Sequence, residues 1–188
     1  MNRIHNLLCA SGWWARVAKD ELVPFGVDGV QLGDDVLEIG PGFGATTRVL
    51  AQRTARLSVV ELDPRYCERL RTELPNRTVT VTQGDATALP YPDVRFSAVV
   101  CFTMLHHIPT VAQQDQAFAE VARVLRPGGT FAGTDTLGVG WVFRAIHIGD
   151  TLNLVDPDAL RERLESAGLI VGEVKRGSRS FRWRASKP

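Results

Sequence analysis

The sequence has few cysteines, no long apolar run and almost no net charge. Its three cysteines, Cys9, Cys67 and Cys101, are far apart and odd in number. They predict neither a disulfide framework nor a zinc site, and they fit a reducing cytoplasm. No apolar run reaches the roughly 18 residues of a membrane helix, so no integral membrane segment is expected. The net charge of +1, from 22 basic and 21 acidic residues, gives no reason to expect a nucleic-acid partner.

The remaining composition is that of an ordinary folded domain. Hydrophobic residues make up 44% of the 188 positions and charged residues 23%. These proportions argue against disorder and against a coiled coil. The length predicts a single domain that is large enough to bury a full core.

Short strand-like runs alternate with amphipathic helical runs. Strands are expected at residues 35–39, 57–62, 78–82, 96–102 and 130–134, and helices at 45–53, 64–74 and 113–125. Alternation at this period predicts an α/β fold of the Rossmann-like kind, with a mostly parallel sheet and helices on both faces. A last helix is expected after Asp156, followed by an antiparallel hairpin over residues 169–185.

A glycine-rich turn follows the first predicted strand. Gly40, Gly42 and Gly44 stand at alternate positions between that strand and the next helix. Glycine lets the backbone turn sharply and lets a ligand lie close to it, and a helix N-terminus favours anionic ligand atoms. A tight turn without a ligand would use the same residues, so these glycines alone do not show whether a ligand binds here.

Two acids sharpen the prediction of a ligand site. Glu61 ends the second predicted strand, 21 positions after Gly40, where an acid can accept hydrogen bonds from both hydroxyls of a ribose. Asp85 follows the third strand, where it can accept from an adenine amino group. The G-x-G-x-G spacing fits a nucleoside with a compact polar tail better than the pyrophosphate of a dinucleotide, which prefers G-x-G-x-x-G. A dinucleotide-dependent oxidoreductase stays as a less favoured alternative.

Five segments then occur in an order typical of one family. They are Glu38-Ile-Gly-Pro-Gly-Phe-Gly44, Val60-Glu-Leu-Asp-Pro64, Gly84-Asp-Ala86, Leu105-His-His-Ile108 and Arg123-Val-Leu-Arg-Pro-Gly-Gly129. With these segments the chain resembles the class I S-adenosylmethionine-dependent methyltransferases, of the small-molecule kind that includes quinone- and sterol-methylating enzymes. The resemblance implies a seven-stranded sheet with an antiparallel last strand, and S-adenosyl-L-methionine as the cofactor.

The resemblance also implies which residues bind the cofactor. The methionine part would lie on the glycine turn above Glu38 and near the end of the fourth strand. The ribose would bind at the second strand end, and the adenine beyond it. The implied cofactor-binding residues are Glu38, Gly40, Gly42, Gly44, Glu61, Leu62, Asp85, Ala86, Cys101 and Phe102.

The candidate proton acceptors lie on the loops after the fourth and fifth strands. They are His106, His107, Asp135 and His147, of which His107 and Asp135 are the preferred catalytic candidates. Methyl transfer needs a base only where the acceptor must lose a proton, so a packing role stays open for each of them. No metal is expected.

The domain is interpreted as a helical N-terminal lid over residues 1–34, a cofactor-binding core over 35–137, and an insertion, last helix and hairpin over 138–188. Aromatic residues in the lid, the glycine turn and the insertion predict a small, apolar acceptor; they are Trp13, Trp14, Phe43, Trp141 and Phe143. The sequence has no Asn-Pro-Pro-Tyr or Asp-Pro-Pro-Tyr after the fourth strand, which argues against methylation of exocyclic amines on nucleic-acid bases or of glutamine amides.

Three points stay open at this stage. A basic C-terminal stretch from Lys175 leaves room for a lipid-like substrate or a peripheral membrane contact. A non-catalytic or regulatory protein with the same fold is the main functional alternative. The sequence does not predict an oligomeric state.

Overall fold

A seven-stranded sheet forms the centre of the structure, a computed structural model that describes residues 3–74 and 78–188. The strands are β1 (Asp35–Ile39), β2 (Arg56–Glu61), β3 (Val79–Gln83), β4 (Phe96–Phe102), β5 (Leu125–Thr136), β6 (Ile170–Arg176) and β7 (Ser180–Ser186). Their order across the sheet is β3-β2-β1-β4-β5-β7-β6. The first five strands run parallel, and β7 is antiparallel to both β5 and β6. The predicted fold class is confirmed.

Helices surround this sheet. They are α1 (Arg3–Cys9), α2 (Gly12–Val17), a π-helical turn (Ala18–Leu22), α3 (Val23–Val27), α4 (Ala45–Leu50), α5 (Pro64–Glu73), a 3-10 turn (Leu105–His107), α6 (Val111–Val124), α7 (Trp141–Ile146) and α8 (Pro157–Ser166). Side chains of Asp63, Thr110 and Asp156 cap α5, α6 and α8 by accepting from backbone N–H groups near each helix start. None of the helices in the described ranges combines the length and the hydropathy of a membrane span.

The core lies on both faces of the sheet. All five residues of β1 are buried between β2 and β4. Side chains alternate along the strands, so Leu37 and Val99 pack in one apolar cluster with Phe118 of α6, while Val36 and Val100 pack in the other. The strand ends that border the site therefore belong to the most buried part of the molecule.

Two elements differ most from the sequence-based prediction. β5 begins at Leu125 instead of Thr130, because a register shift in the pairing of β4 with β5 lets the Pro127–Gly129 segment stay in the strand. Helix α7 lies inside the segment for which no helix was predicted. Its six residues are too few to give a readable helical period.

Candidate functional site

A cavity of about 1090 Å³ opens at the carboxyl ends of β1, β2 and β4. Open parallel sheets bind their ligands at this edge, and the volume is slightly above the roughly 300–1,000 Å³ that is usual for small-molecule sites. The other side of the cavity is lined by residues of the N-terminal helices, which lie outside the sheet. They are His5, Leu8, Cys9, Trp13, Trp14, Val17, Glu21 and Leu22. The cavity therefore has a sheet-edge side and a helical, largely apolar side.

The glycine turn forms part of the sheet-edge side. Gly40 has φ +66°, and a Cβ at this position would lie 2.2 Å from Cγ of Met104. Gly42 has φ +52°, lines the cavity, and a Cβ there would meet no atom within 4 Å. Gly40 is thus required by packing, whereas the missing side chain of Gly42 leaves cavity space open. Gly44 precedes α4 with φ +74° and does not line the cavity.

Glu61 connects the glycine turn to β2. Its Oε2 accepts from the backbone N–H of Gly42 at 3.0 Å, and its Oε1 accepts from that of Asp63 at 3.0 Å. Burial raises the pKa of this carboxyl, while the backbone donors oppose the rise. Glu61 lines the cavity. Its position therefore suits a ligand with hydroxyl donors and at the same time fixes the turn.

Glu38 lies beneath the turn and does not line the cavity. The hydroxyl of Thr46 donates to its Oε1, and its Oε2 is buried without a hydrogen-bond partner. Burial raises the pKa of Glu38 from 4.5 to about 7, against the opposing hydrogen bond from Thr46. This carboxyl therefore changes protonation near neutral pH.

The raised pKa of Glu38 predicts a pH-dependent stability. The folded state holds the proton more tightly than the unfolded chain, so this contribution is fully present below pH 4.5 and is lost as the pH rises through about 7. We expect Glu38→Gln to remove this loss. The variant should gain unfolding free energy relative to wild type between pH 4.5 and 8, by up to roughly 3 kcal/mol. Chemical denaturation at several pH values measures this difference.

Glu68→Gln is the matched control for that experiment. Glu68 is an exposed carboxyl on α5, so its substitution should leave the pH profile parallel to that of wild type. If Glu38→Gln also runs parallel to wild type, Glu38 does not titrate near neutral pH in the folded protein.

Leu62, Asp85 and Ala86 also line the cavity. One oxygen of Asp85 accepts from both the backbone N–H and the hydroxyl of Thr87, each at 2.8 Å. Leu62 is 65% exposed at the mouth of the cavity. The end of β3 is tied to that of β2 by a 3.0 Å hydrogen bond from the N–H of Gly84 to the carbonyl of Glu61. Asp85 and Glu61 therefore face the same cavity on neighbouring strand ends.

The end of β4 borders the cavity with Phe102 but not with Cys101. Phe102, Thr103 and Met104 line the cavity. Cys101 is fully buried in the apolar cluster on one face of the sheet, because successive side chains of a strand point to opposite faces. The predicted proximity of Cys101 to a cofactor therefore does not match its position. Thr103 has φ +50°, a left-handed conformation that is strained for threonine.

Asp135 lies at the end of β5, as expected, but it is fully buried and does not line the cavity. Its Oδ1 accepts from Nδ1 of His106 at 2.5 Å, and its Oδ2 accepts from the backbone N–H of His106 at 3.1 Å. The N–H of Thr136 donates to Oδ1 as well, at 2.6 Å. Asp135 therefore holds His106, which does line the cavity, and a direct role as proton acceptor does not fit this geometry.

All four histidines of the chain lie at one side of the cavity and line it. The rings of His5 and His147 are 4.4 Å apart between centroids, and those of His106 and His107 are 4.1 Å apart. Burial and the neighbouring imidazoles lower the pKa of His107 to about 3. The sequence predicts His107 as a site residue but gives no signal for His5, which belongs to a helix distant in sequence.

The insertion contributes one of its two predicted aromatic residues. Phe143 lines the cavity and its ring lies 4.1 Å from that of His147. Trp141 is 81% exposed and does not line the cavity. The prediction that Trp141 covers the acceptor therefore does not match its position. Trp13, Trp14 and Phe43 line the cavity as predicted.

These features define an α/β domain with a large cavity at the switch point of its sheet. A family model described as "Methyltransferase domain" matches residues 37–133, about half of the chain. The chain belongs to this family, and the predicted resemblance to class I S-adenosylmethionine-dependent methyltransferases is confirmed.

Three known proteins show the range of similarity to this chain. A demethylmenaquinone methyltransferase of Tropheryma whipplei (strain Twist) is 35% identical over 105 residues, which cover 54% of this chain and 41% of the relative. A ribosomal RNA small subunit methyltransferase A of Chromobacterium violaceum is 45% identical over 64 residues, covering 34% and 24%. The crystal structure of a SAM-dependent methyltransferase from Aquifex aeolicus matches the whole of both chains with a TM-score of 0.77 and 16% identity, which shows a shared fold.

The chain spans about two fifths of the length of the demethylmenaquinone relative. The two curated relatives are named for different acceptors, a quinone precursor and a ribosomal RNA. The comparisons therefore establish the family of this chain but not its methyl acceptor.

Proposed function

We propose that this chain transfers the methyl group of S-adenosyl-L-methionine to a small, largely apolar molecule. The observation that carries the proposal is the cavity itself. It joins the glycine turn and two acidic strand ends to a wall of apolar residues from the N-terminal helices. Its volume leaves room for a second molecule beside a nucleoside cofactor.

The residues around the glycine turn fit S-adenosyl-L-methionine. Gly42 presents no side chain to the cavity, and a Cβ there would occupy open space. Glu61 and Asp85 offer carboxylate acceptors to the ribose hydroxyls and the adenine amino group. The unpartnered Oε2 of Glu38 lies buried beneath the turn. When bound, the cofactor supplies a methyl group on a positively charged sulfur.

On the acceptor side, the chain has to orient the acceptor, exclude water and accept a proton where the acceptor is a hydroxyl. The N-terminal helices exclude water from the cavity, and a hydrogen bond of 2.7 Å from the Tyr66 hydroxyl to Asn6 holds α1 against α5. Because Asp135 binds Nδ1 of His106, the proton of the neutral ring stays on Nδ1 and Nε2 is the proton acceptor. His106 is therefore the general base of the proposal.

A small acceptor is favoured over RNA for two reasons. The aromatic side chains Trp13, Trp14 and Phe143 line the cavity, and apolar walls select apolar molecules. The net charge of +1 supplies no general attraction for a phosphate backbone. A cytoplasmic location stays an expectation from the cysteine content.

Turnover with methyl-labelled cofactor tests this proposal. The purified chain is offered an organic-solvent extract of cell lipids and quinones in one arm and ribosomal RNA in the other. We expect label in the organic extract and none in the RNA. Label in the RNA alone would assign the chain to RNA methylation, and a cofactor-binding chain without turnover in either arm would support the non-catalytic alternative.

Glu61→Ala tests the cofactor-binding part of the proposal. Loss of charge-assisted hydrogen bonds should cost about 1.5–3 kcal/mol of binding free energy, or roughly ten- to a hundred-fold in affinity for S-adenosylhomocysteine. Calorimetric titration measures this loss, and circular dichroism reports whether the fold is kept.

The same variant also loses the hydrogen bond that holds the glycine turn at Gly42, so a second ligand separates the two roles. For an analogue of S-adenosylhomocysteine without the two ribose hydroxyls, wild type and Glu61→Ala should bind with nearly equal affinity. An equal loss for both ligands would mean that Glu61 only positions the turn.

A further inference from the structure

Three histidines from three separate segments meet beside the cavity. His5 belongs to α1, His107 to the turn after β4, and His147 follows α7. One ring nitrogen from each lies within 4.8 Å of the others. No local ligand spacing in the sequence connects these residues, which is why the sequence predicted no metal.

The hydrogen bonds of the three rings assign their tautomers. Nδ1 of His5 is 2.9 Å from a carboxylate oxygen of Asp150. Nδ1 of His147 is 2.7 Å from the carbonyl of Phe143, and Nδ1 of His107 is 3.3 Å from that of Thr151. Carbonyl and carboxylate oxygens only accept, so each Nδ1 carries the proton and each Nε2 keeps its lone pair.

This pattern is the one that surrounds metal-binding histidines. Such residues donate their second ring N–H to a carboxylate or a backbone carbonyl, which fixes the ring and its tautomer. In addition, His147 is only 5% exposed. Its Nε2 is buried without a hydrogen-bond partner. A buried acceptor without a partner is costly, and a bound cation would satisfy it.

We propose that His5, His107 and His147 bind a divalent transition-metal ion of the zinc class. Three imidazoles suit such an ion, and with metal–nitrogen bonds of about 2.0–2.1 Å their nitrogens would have to approach to roughly 3.4 Å. Because the rings come from three separate segments, small relative shifts of these segments would supply this closure while the Nδ1 hydrogen bonds are kept. Three protein ligands leave a coordination position for water or a substrate oxygen.

The open coordination position predicts a catalytic role for the metal ion. This role rests on the proposed function. All three histidines line the cavity that we assign to the acceptor. A hydroxyl bound to the ion loses its proton more easily, and the neighbouring His106 is placed to accept that proton. The substrate class then narrows to small apolar molecules with a hydroxyl group, such as phenols.

Titration with Co²⁺ alone tests the metal site without any substrate. The chain is purified with its affinity tag removed, stripped with a chelator, and titrated while calorimetry and the visible spectrum are recorded. We expect one Co²⁺ per chain and the intense visible bands of a four-coordinate ion. His5→Ala and His147→Ala should each weaken binding at least a hundred-fold, and Asp150→Asn about ten- to a hundred-fold through His5.

His106→Asn is the matched control, because His106 lies in the same group of rings but has Nδ1 bound to Asp135. This variant should bind Co²⁺ as wild type does. Wild type that binds no Co²⁺ more tightly than His5→Ala would overturn the proposal, as would an equal loss in His106→Asn and His147→Ala. Cofactor affinity, measured on the same samples without metal, reports separately on the proposed function.

Discussion

Gly42→Val is expected to abolish binding of S-adenosylmethionine while the sheet still folds. A valine at this position projects its Cβ and both methyl groups into the open space that the missing side chain leaves in the cavity. The position also has φ +52°, which a β-branched residue adopts only with strain. Binding should fall below detection in a calorimetric titration, a loss of more than a hundred-fold.

Gly128→Val separates the steric effect from the backbone strain. Gly128 has φ +75°, and a Cβ there would likewise meet no atom within 4 Å. It is exposed within β5 and does not line the cavity. Both variants should lower the melting temperature, but only Gly42→Val should lose the cofactor. If Gly42→Val binds S-adenosylmethionine as tightly as Gly128→Val does, the glycine turn does not contact the cofactor.

His106→Asn is expected to lower kcat by roughly a hundred- to ten-thousand-fold, the usual contribution of a general base. The asparagine amide can still donate to Asp135, so the local hydrogen bonding is kept. Cofactor affinity should stay unchanged, because the substitution removes only the proton acceptor. Steady-state rates with the acceptor found in the labelling experiment provide the measurement.

Circular dichroism of His106→Asn is the control for a structural effect, and its spectrum should match that of wild type. Asp135→Asn should also slow the reaction, because an amide no longer fixes the proton on Nδ1 of His106. A full-rate His106→Asn enzyme would leave His106 with a packing role.

The sheet and the glycine turn are predictable because their signals are local. Strands β1 to β4 follow short apolar or β-branched runs, and each is within one residue of its predicted bounds. Gly42 and Glu61 stand at strand ends, and parallel strands bring such ends to one edge of the sheet. The positions of these residues at strand ends are therefore sufficient to predict where the cavity lies.

The histidine side of the cavity is not predictable in this way. His5 and Asp150 form a hydrogen bond across 145 residues of sequence, and no local pattern relates two such positions. The same holds for Asp135. Its position at a strand end is predictable from the sequence, but its burial against His106 depends on the loop after β4. Cys101 and Phe102 are neighbours in sequence, yet only Phe102 lines the cavity.

Calorimetric titration of the purified chain with S-adenosylmethionine and, separately, with NAD tests the central claim most directly. Saturable one-to-one binding of S-adenosylmethionine, with no heat from NAD at the same concentrations, is the expected result. It follows from a glycine turn spaced for a nucleoside with a compact tail and from Glu61 and Asp85 on neighbouring strand ends. Binding of NAD without binding of S-adenosylmethionine would contradict the account.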